Sequence, residues 1–300
     1  MPIRSFRPED APALASLAAE CSRGESDFVL NPMWEDEAEL AAEFARFGIE
    51  PEEHLLVADE GDDGDVQGMA GFLRRPGETS AGMFCPIVRR EGRGRGLGGE
   101  LLRAAQELGA GKLGIELATA GVGTRNRMGY SLLTSHGFRP VRQAWVMKCE
   151  RTPRVPETPD GIELDVAGVE DSPAILDLYL DSGFEGRASD AMRKLLDDGR
   201  HAHAVARQGG RLVAFVELET HWPKRPWVAF VGVAKDLRDR GLGSLLVAWI
   251  LARQFDAGAS AGLLALSPAN RTALRAYEKV GFRRYRLIDA LEKRLQGNVR

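Results

Sequence analysis

The sequence predicts an α/β (α+β) chain built from two tandem copies of one domain. Three observations predict it: an ordered set of features that recurs along the chain, a glycine-rich strand-to-helix turn in each copy, and a proline-rich stretch between the copies. The expected boundaries are residues 1–150 for the first copy, 151–161 for the linker and 162–300 for the second. The linker carries Pro153, Pro156 and Pro159, a spacer composition rather than that of a helix or strand.

Each copy opens with a short strand-like run, around residues 3–6 and 162–166, followed by a helix start. Asp10-Ala11-Pro12-Ala13-Leu14 and Asp171-Ser172-Pro173-Ala174-Ile175 both place an acidic or hydroxyl cap and a first-turn proline before apolar residues at helical spacing. Hairpins come next. Residues 54–59 and 66–73 flank the turn formers Gly61-Asp62-Asp63-Gly64-Asp65, and residues 203–207 and 212–218 flank Gly209-Gly210. The first copy is longer, chiefly through residues 34–47, which read as an additional helix-like segment.

The sharpest repeat is Arg93-Gly94-Arg95-Gly96-Leu97-Gly98 against Arg238-Asp239-Arg240-Gly241-Leu242-Gly243, each after an apolar strand and opening an apolar helix. A later pair follows: Asn126-Arg127 before Gly137-Phe138-Arg139, and Asn270-Arg271 before Gly281-Phe282-Arg283. A strand that turns into a helix through closely spaced glycines presents unpaired N–H groups at the positive end of the helix dipole. That arrangement holds phosphate or pyrophosphate. The flanking Arg93, Arg95, Arg238 and Arg240 are expected to add charge-assisted bonds to phosphate oxygens. The bland alternative is a tight turn with a solvated, arginine-rich face.

A dinucleotide fingerprint is the competing phosphate motif, since Gly94, Gly96 and Gly99 fit its spacing and Glu116 lies near its acidic position. Three features argue against it. The second copy has Ser244 in place of the third glycine, Glu116 reads as mid-strand, and a helix and hairpin precede the motif. Glycine followed by Lys-Ser or Lys-Thr, the mark of a Walker loop, does not occur.

Composition is that of an ordinary globular protein, 44% apolar and 28% charged with a net charge of −4. Nothing in it resembles the basic footprint of a nucleic-acid binder. Cys21, Cys85 and Cys149 lie far apart, in no metal or redox spacing, which suits reduced thiols. No metal is expected; His201, His203 and His221 read as strand or loop residues. The start has no apolar core of signal-peptide length, and the longest apolar stretch, residues 245–252, is too short to span a bilayer. The expectation is a cytoplasmic protein with no membrane partner.

These motifs resemble the GNAT superfamily of N-acetyltransferases. Its Gln/Arg-x-x-Gly-x-Gly/Ala pattern is matched by Arg93, Gly96 and Gly98 and by Arg238, Gly241 and Gly243. Its later Asn, seven residues before a Tyr and followed by Gly-Phe, is matched by Asn270, Tyr277, Gly281 and Phe282. The resemblance implies two tandem domains, each a mixed, mostly antiparallel twisted sheet flanked by helices, with acetyl-CoA as acyl donor. It places the pyrophosphate at Arg238, Asp239, Arg240, Gly241, Leu242, Gly243 and Ser244, with Asn270 beyond. The pantetheine arm falls along Val231, Gly232 and Val233, an edge that also suits a splayed strand offering free amides. In the first copy the same surface falls on Val88, Arg93, Arg95, Gly96, Gly98 and Asn126.

Amide formation from a thioester needs a neutral amine, an oxyanion partner and a proton for the departing thiolate. The resemblance assigns the last task to Tyr277, with an amide near Val233 stabilising the oxyanion. The alternative for Tyr277 is a packing aromatic beside Leu274 and Val280. In the first copy Leu133 stands where the tyrosine is expected; leucine has no proton to give, and Tyr130 lies one helical turn away. The first domain is therefore expected to be degenerate and the second catalytic. Glu217 and Glu219 share one face of their strand and are the candidate bases, against the plainer reading of a solvated strand end. The turn Trp222-Pro223-Lys224-Arg225-Pro226-Trp227 reads as a rigid link beside the substrate cleft. Function is expected to be acetyl transfer to a primary amine, of a small molecule rather than a protein. A non-catalytic acyl-CoA-binding or scaffolding protein of the same fold is the alternative.

Overall fold

The computed structural model describes residues 1–60, 65–184 and 186–295, so the turn formers Gly61, Asp62, Asp63 and Gly64 lie outside the described residues. The first repeat runs β1 (Ile3–Ser5), α1 (Ala11–Arg23), α2 (Glu37–Phe47), α3 (Pro51–His54), β2 (Leu55–Ala58), β3 (Gly68–Leu73), β4 (Ser80–Val88), α4 (Leu97–Ala110), β5 (Leu117–Gly123), α5 (Arg127–Ser135) and β6 (Arg139–Cys149). The second runs β7 (Ile162–Val166), α6 (Ser172–Asp181), α7 (Ser189–Asp197), β8 (His201–Gln208), β9 (Arg211–Glu219), β10 (Trp227–Val233), α8 (Leu242–Asp256), β11 (Gly262–Leu266), α9 (Arg271–Val280) and β12 (Arg283–Arg294). Residues 151–161 form neither helix nor strand, as their prolines require.

The chain folds as two compact units that depart from the repeat boundaries. One holds Met1–Ala144 with Arg286–Arg300, the other Trp145–Tyr285. The boundary expected at residues 151–161 is therefore displaced, and the reason lies in the last strand of each repeat. Within the first unit the sheet order is β1-β2-β3-β4-β5-β12, closed by β12 running antiparallel to β5 from Ile288↔Gly123 to Arg294↔Leu117. Within the second it is β6-β11-β10-β9-β8-β7, closed by residues 145–149 of β6 against β11. Each repeat thus supplies the strand that covers the open β5 or β11 edge in the other unit. Similarity along the chain cannot reveal such an exchange.

Pairing within each unit is antiparallel except at β4–β5 and β10–β11, which are parallel. The β8–β9 hairpin turns through Gly209 (φ +56°) and Gly210 (φ +78°), the two positive-φ positions its two-residue loop demands. Asp10 and Asp171 stand before α1 and α6 but do not cap them as expected. Each carboxylate instead closes the preceding 3-10 turn, accepting from the Arg7 N–H at 2.7 Å and the Gly168 N–H at 3.0 Å. The helix near residues 34–47 is α2, and α7 is its counterpart, so it is not additional. The largest part of the first repeat's extra length lies in the connection before α2, residues 24–36 against 182–188, with more in residues 48–54, which hold α3, against 198–200. Core packing of the second unit joins α6, α8 and α9 to the sheet through Phe215, Leu246, Leu251, Leu274 and Phe282.

Candidate functional site

Both arginine–glycine turns fold alike. Gly96 (φ +92°) and Gly241 (φ +84°) occupy the N-cap positions of α4 and α8, and neither helix start receives a side-chain cap. A Cβ built on Gly94, Gly96 or Gly241 meets nothing within 4 Å, so these backbones face open space. Asp239 holds the left-handed position (φ 62°) that Gly94 takes in the first turn. Bare N–H groups at the N-terminus of a long helix, with room in front, fit a phosphate-bearing acyl donor.

The arginines divide into two kinds, contrary to the expectation that all four meet phosphate. Arg93 donates through Nε to the Val88 carbonyl at 2.8 Å and pairs with Asp27 at 3.1 Å. Arg238 donates through Nε to the Val233 carbonyl at 2.9 Å and, through Nη2, to the Asp181 carbonyl at 2.9 Å. Both side chains are consumed in bracing the turn against the strand that enters it. Arg95 and Arg240 are exposed. Asn126 and Asn270 are likewise committed to local structure, since their Oδ1 atoms accept from the Gly129 and Ala273 N–H groups at 2.8 and 3.1 Å. They set the start of α5 and α9.

In the first unit a cavity of about 480 Å³ lies along Val88, Gly94, Gly96 and Gly98 and reaches Asn126 and Leu132. Along the sheet its lining ends at Pro86, Ile87 and Val88 of β4, because the unit's own chain fills the divergence between β4 and β5 beyond them. These strands pair only from Ser80↔Leu117 to Gly82↔Thr119. Beyond that, residues 28–31 run between them: Cys85 N–H donates to the Asn31 carbonyl, Leu30 N–H to Gly121, and Gly123 N–H to Phe28, each at 2.9 Å. A Cβ on Gly121 would come within 2.7 Å of Leu30, so glycine there is what admits the inserted segment. Leu133 is buried, and Tyr130 is not among the cavity-lining residues. Glu116 precedes β5 rather than lying within it, and the glycines open a helix flanked by a mostly antiparallel sheet, which removes the dinucleotide reading.

The second unit differs at each of these points. β10 and β11 pair only at Trp227↔Leu263 and Val228↔Leu264, leaving Val231, Gly232 and Val233 past the end of that ladder. Among the described residues no segment corresponding to 28–31 enters between them. Gly232 is buried so tightly that a Cβ would meet Phe215 at 2.3 Å. Leu242 is buried beneath the turn, and Gly243 and Ser244 begin α8 half-buried. Tyr277, on α9, packs against the core with its ring edge-on to Phe282 at 5.8 Å, and burial pushes its phenol up to about 12. At neutral pH it is a proton donor, never a phenolate.

Glu217 is not a solvated strand end. Its side chain is 1% exposed and grips Arg187 through two bonds, 2.8 Å to Nη1 and 3.4 Å to Nη2. His203 and His201 stand 3.6 and 3.8 Å from the same carboxylate. Burial alone would raise its pKa, but His203 and Arg187 outweigh it and hold the group below the ordinary carboxylate value. Glu219, two residues on, lies half-buried at the end of β9. Counted back from the pairs Val233↔Ala214 and Val88↔Gly68, the first unit has Gly71 where the second has Glu217. There a Cβ would strike the His54 carbonyl at 2.2 Å.

Sequence reasoning missed Arg187, Tyr179, Phe184 and Phe230, which gather around Glu217, and it missed the inserted segment. The one legible signal for the latter was the pair Gly121 and Gly123 inside a strand, a mark of close backbone approach. Among the described residues no group of three His, Cys, Asp or Glu could hold a metal ion, and no helix is long and apolar enough to cross a membrane. All three cysteines are buried; burial pushes the Cys21 and Cys85 thiols up to about 11 and 12.

Comparison with known proteins agrees with this geometry. A profile described as the acetyltransferase (GNAT) family matches twice, over residues 14–138 and 172–282. A mycothiol acetyltransferase of Paenarthrobacter aurescens (strain TC1) is 27% identical over 239 residues, 74% of this chain and 72% of that protein. The crystal structure of a GCN5-related N-acetyltransferase from Sphaerobacter thermophilus superposes with a TM-score of 0.79 at 22% identity, covering 98% of this chain and 96% of that one. A tandem GNAT protein from the clavulanic acid biosynthesis pathway gives 0.70 at 18% identity, with 98% of both chains covered. At these identities the structural likenesses speak for the fold.

Proposed function

The chain belongs to the acetyltransferase (GNAT) family as a tandem two-domain member, and we propose that its second unit transfers an acetyl group from acetyl-CoA to a primary amine. The observation that carries this reading is the contrast between the units. The second keeps a proton donor on α9, a carboxylate on β9 and a strand divergence free of its own chain, whereas the first has Leu133, Gly71 and residues 28–31 in those places.

Acetyl-CoA supplies the activated acyl group, and the chain's residues supply the rest. The N–H groups at the start of α8, with Arg240, hold the pyrophosphate, while Arg238 keeps the turn in shape. Val231, Gly232 and Val233 line the pantetheine arm, and the amide of Val233 faces the developing oxyanion. Tyr277 gives a proton at Oη to the departing sulfur, a task its raised pKa suits at neutral pH. Glu217 accepts the amine's proton at Oε once Arg187 moves away and frees the carboxylate; Glu219 stands next along the strand edge. Most of the remaining acceleration comes from alignment of the two substrates. The mycothiol acetyltransferase relative supports a small-molecule acceptor over a protein.

The first unit carries a second, narrower reading. Its cavity suits the nucleotide and pantetheine of acyl-CoA, with Val88, Arg93, Gly96 and Gly98 along it, but its acyl end meets residues 28–31. We assign it binding without turnover. Thiol release from acetyl-CoA with a panel of small amines tests the whole proposal: no acceleration by any amine would leave an acyl-CoA-binding protein of the same fold.

A further inference from the structure

Arg187 lies in a setting built for a cation. Its guanidinium sits 4.9 Å from the ring centroids of both Tyr179 and Phe230, within cation–π range, and binds Glu217 through two nitrogens. Phe184 completes the wall, 4.9 Å from Tyr179 and 5.0 Å from Phe230, ring centre to ring centre. His203 is buried, with its Nε2 turned toward the carboxylate at 3.6 Å and no hydrogen bond to it. The pocket adjoins the acyl-transfer strand, for Phe230 pairs with Glu217 and immediately precedes Val231. In the first unit Gly71 stands where the second has Glu217 and pairs with Phe84, so no carboxylate occupies that strand position.

We propose that Glu217 with Tyr179, Phe184 and Phe230 is the acceptor-recognition pocket for a cationic nitrogen, and that Arg187 is an internal stand-in which the acceptor's ammonium displaces. This deepens the acyl-transfer reading of the second unit and rests on it. The selectivity follows from electrostatics. Arg187 sits in a seven-residue connection, residues 182–188, and its side chain is 19% exposed, so it reaches the pocket from the solvent side. Withdrawing it leaves a buried carboxylate with only His203 and His201, beyond hydrogen-bond distance, beside it, which favours the arrival of another positive charge. A neutral acceptor cannot offset that loss; an ammonium does so and gains the same aromatic faces.

Arg187→Met tests this, since methionine keeps the aliphatic stem over the rings and removes the charge. Calorimetry with propylammonium and no acyl-CoA should show at least tenfold tighter binding to Arg187→Met than to wild type, no binding of neutral propionamide, and loss of the gain in Arg187→Met/Glu217→Gln. In turnover, the KM for the amine should fall with kcat retained, whereas a residue that only braces the fold would raise KM or lower kcat. Equal propylammonium binding by wild type and Arg187→Met, comparable propionamide binding, or persistence in the double variant overturns the proposal. If Arg187→Met fails to fold, Arg187→Lys gives the same readouts with a smaller gain, because one ammonium grips Glu217 less well than the guanidinium fork. Cation binding as described without any turnover would sink the acyl-transfer reading and leave the pocket standing.

Discussion

Arg238 reaches across to Asp181, the last residue of α6, donating through Nη2 to its carbonyl at 2.9 Å and to its carboxylate at 3.3 Å. The first unit repeats the relationship with Arg93 and Asp27, which lies in the connection after α1, so the motif's arginine is a strut between the glycine-rich turn and the end of the preceding helix or the chain just beyond it.

A strut and a phosphate ligand respond differently to salt. Arg238 and Asp181 are partly solvated, so Arg238→Gln should cost no more than about 1 kcal/mol of stability. Acyl-CoA affinity should fall as the turn loosens, while its dependence on ionic strength stays that of wild type. Arg240→Gln should weaken binding and flatten that dependence, because a charge facing the phosphates is lost. Titrations at several salt concentrations check both; a flattened dependence for Arg238→Gln alone would reverse the roles.

The two turns should also be separable by counting. Gly241 meets nothing where a Cβ would go, so Gly241→Val adds backbone strain of roughly 1–3 kcal/mol and a methyl-bearing obstacle where phosphate must approach. Native mass spectrometry should count two acyl-CoA molecules per wild-type chain and one in either Gly241→Val or Gly96→Val. Turnover should disappear with Gly241→Val. Persistent turnover in a folded Gly241→Val protein would place the chemistry in the first unit.

Repeats, hairpins and phosphate turns were legible because they are local: alternation, glycine spacing and a helix start suffice to specify them. The exchange of β6 and β12 was not, because pairing partners far apart in sequence leave no local mark. Tyr277 and Glu217 could be proposed from the sequence because a single residue type would carry the chemistry assigned to each. The site was illegible where function arises from convergence, as with Arg187, which approaches Glu217 from a loop thirty positions earlier. The motif asparagines show a structural use that the spacing did not reveal: their Oδ1 atoms cap α5 and α9.

Residues 28–31 make the first site indifferent to what the pantetheine carries. In Gly241→Val, where only that site remains, CoA and acetyl-CoA should bind within about twofold of each other, since Asn31 and Leu30 already hold the backbone bonds of Cys85 and Gly121. A tenfold preference for acetyl-CoA would mean that the acyl group enters the sheet after all.

Acid sensitivity should follow the Arg187–Glu217 pair. Glu217 has a folded-state pKa below its ordinary value of 4.5, so its contribution to stability is present above that pH and is lost as pH falls below it. Arg187→Met removes one of the causes of the depression. The variant should be less stable than wild type at pH 7 and the gap should narrow toward pH 3, which denaturant melts at several pH values would reveal. A gap independent of pH would mean that the pair contributes through packing alone.

Tyr277 offers the sharpest separation of chemistry from packing. Its ring lies against the core and edge-on to Phe282, contacts that Tyr277→Phe keeps. Stability should therefore change by less than about 1 kcal/mol, the usual worth of a single hydrogen bond. Binding of acetyl-CoA, governed by the turn and by β10, should survive. If the hydroxyl donates to the departing sulfur, turnover should fall by roughly a hundred- to ten-thousand-fold. The pH profile adds a second criterion. Because burial lifts the phenol to about 12, wild-type activity should show no alkaline loss from this group up to about pH 10, unlike a tyrosine with the ordinary value of 10.0. A Phe variant that melts normally, binds acetyl-CoA normally and turns over within a few-fold of wild type would reduce Tyr277 to a packing residue. The proton would then reach the sulfur from water, and the phosphate turn and the Glu217 pocket would be left as the parts of the site that stand.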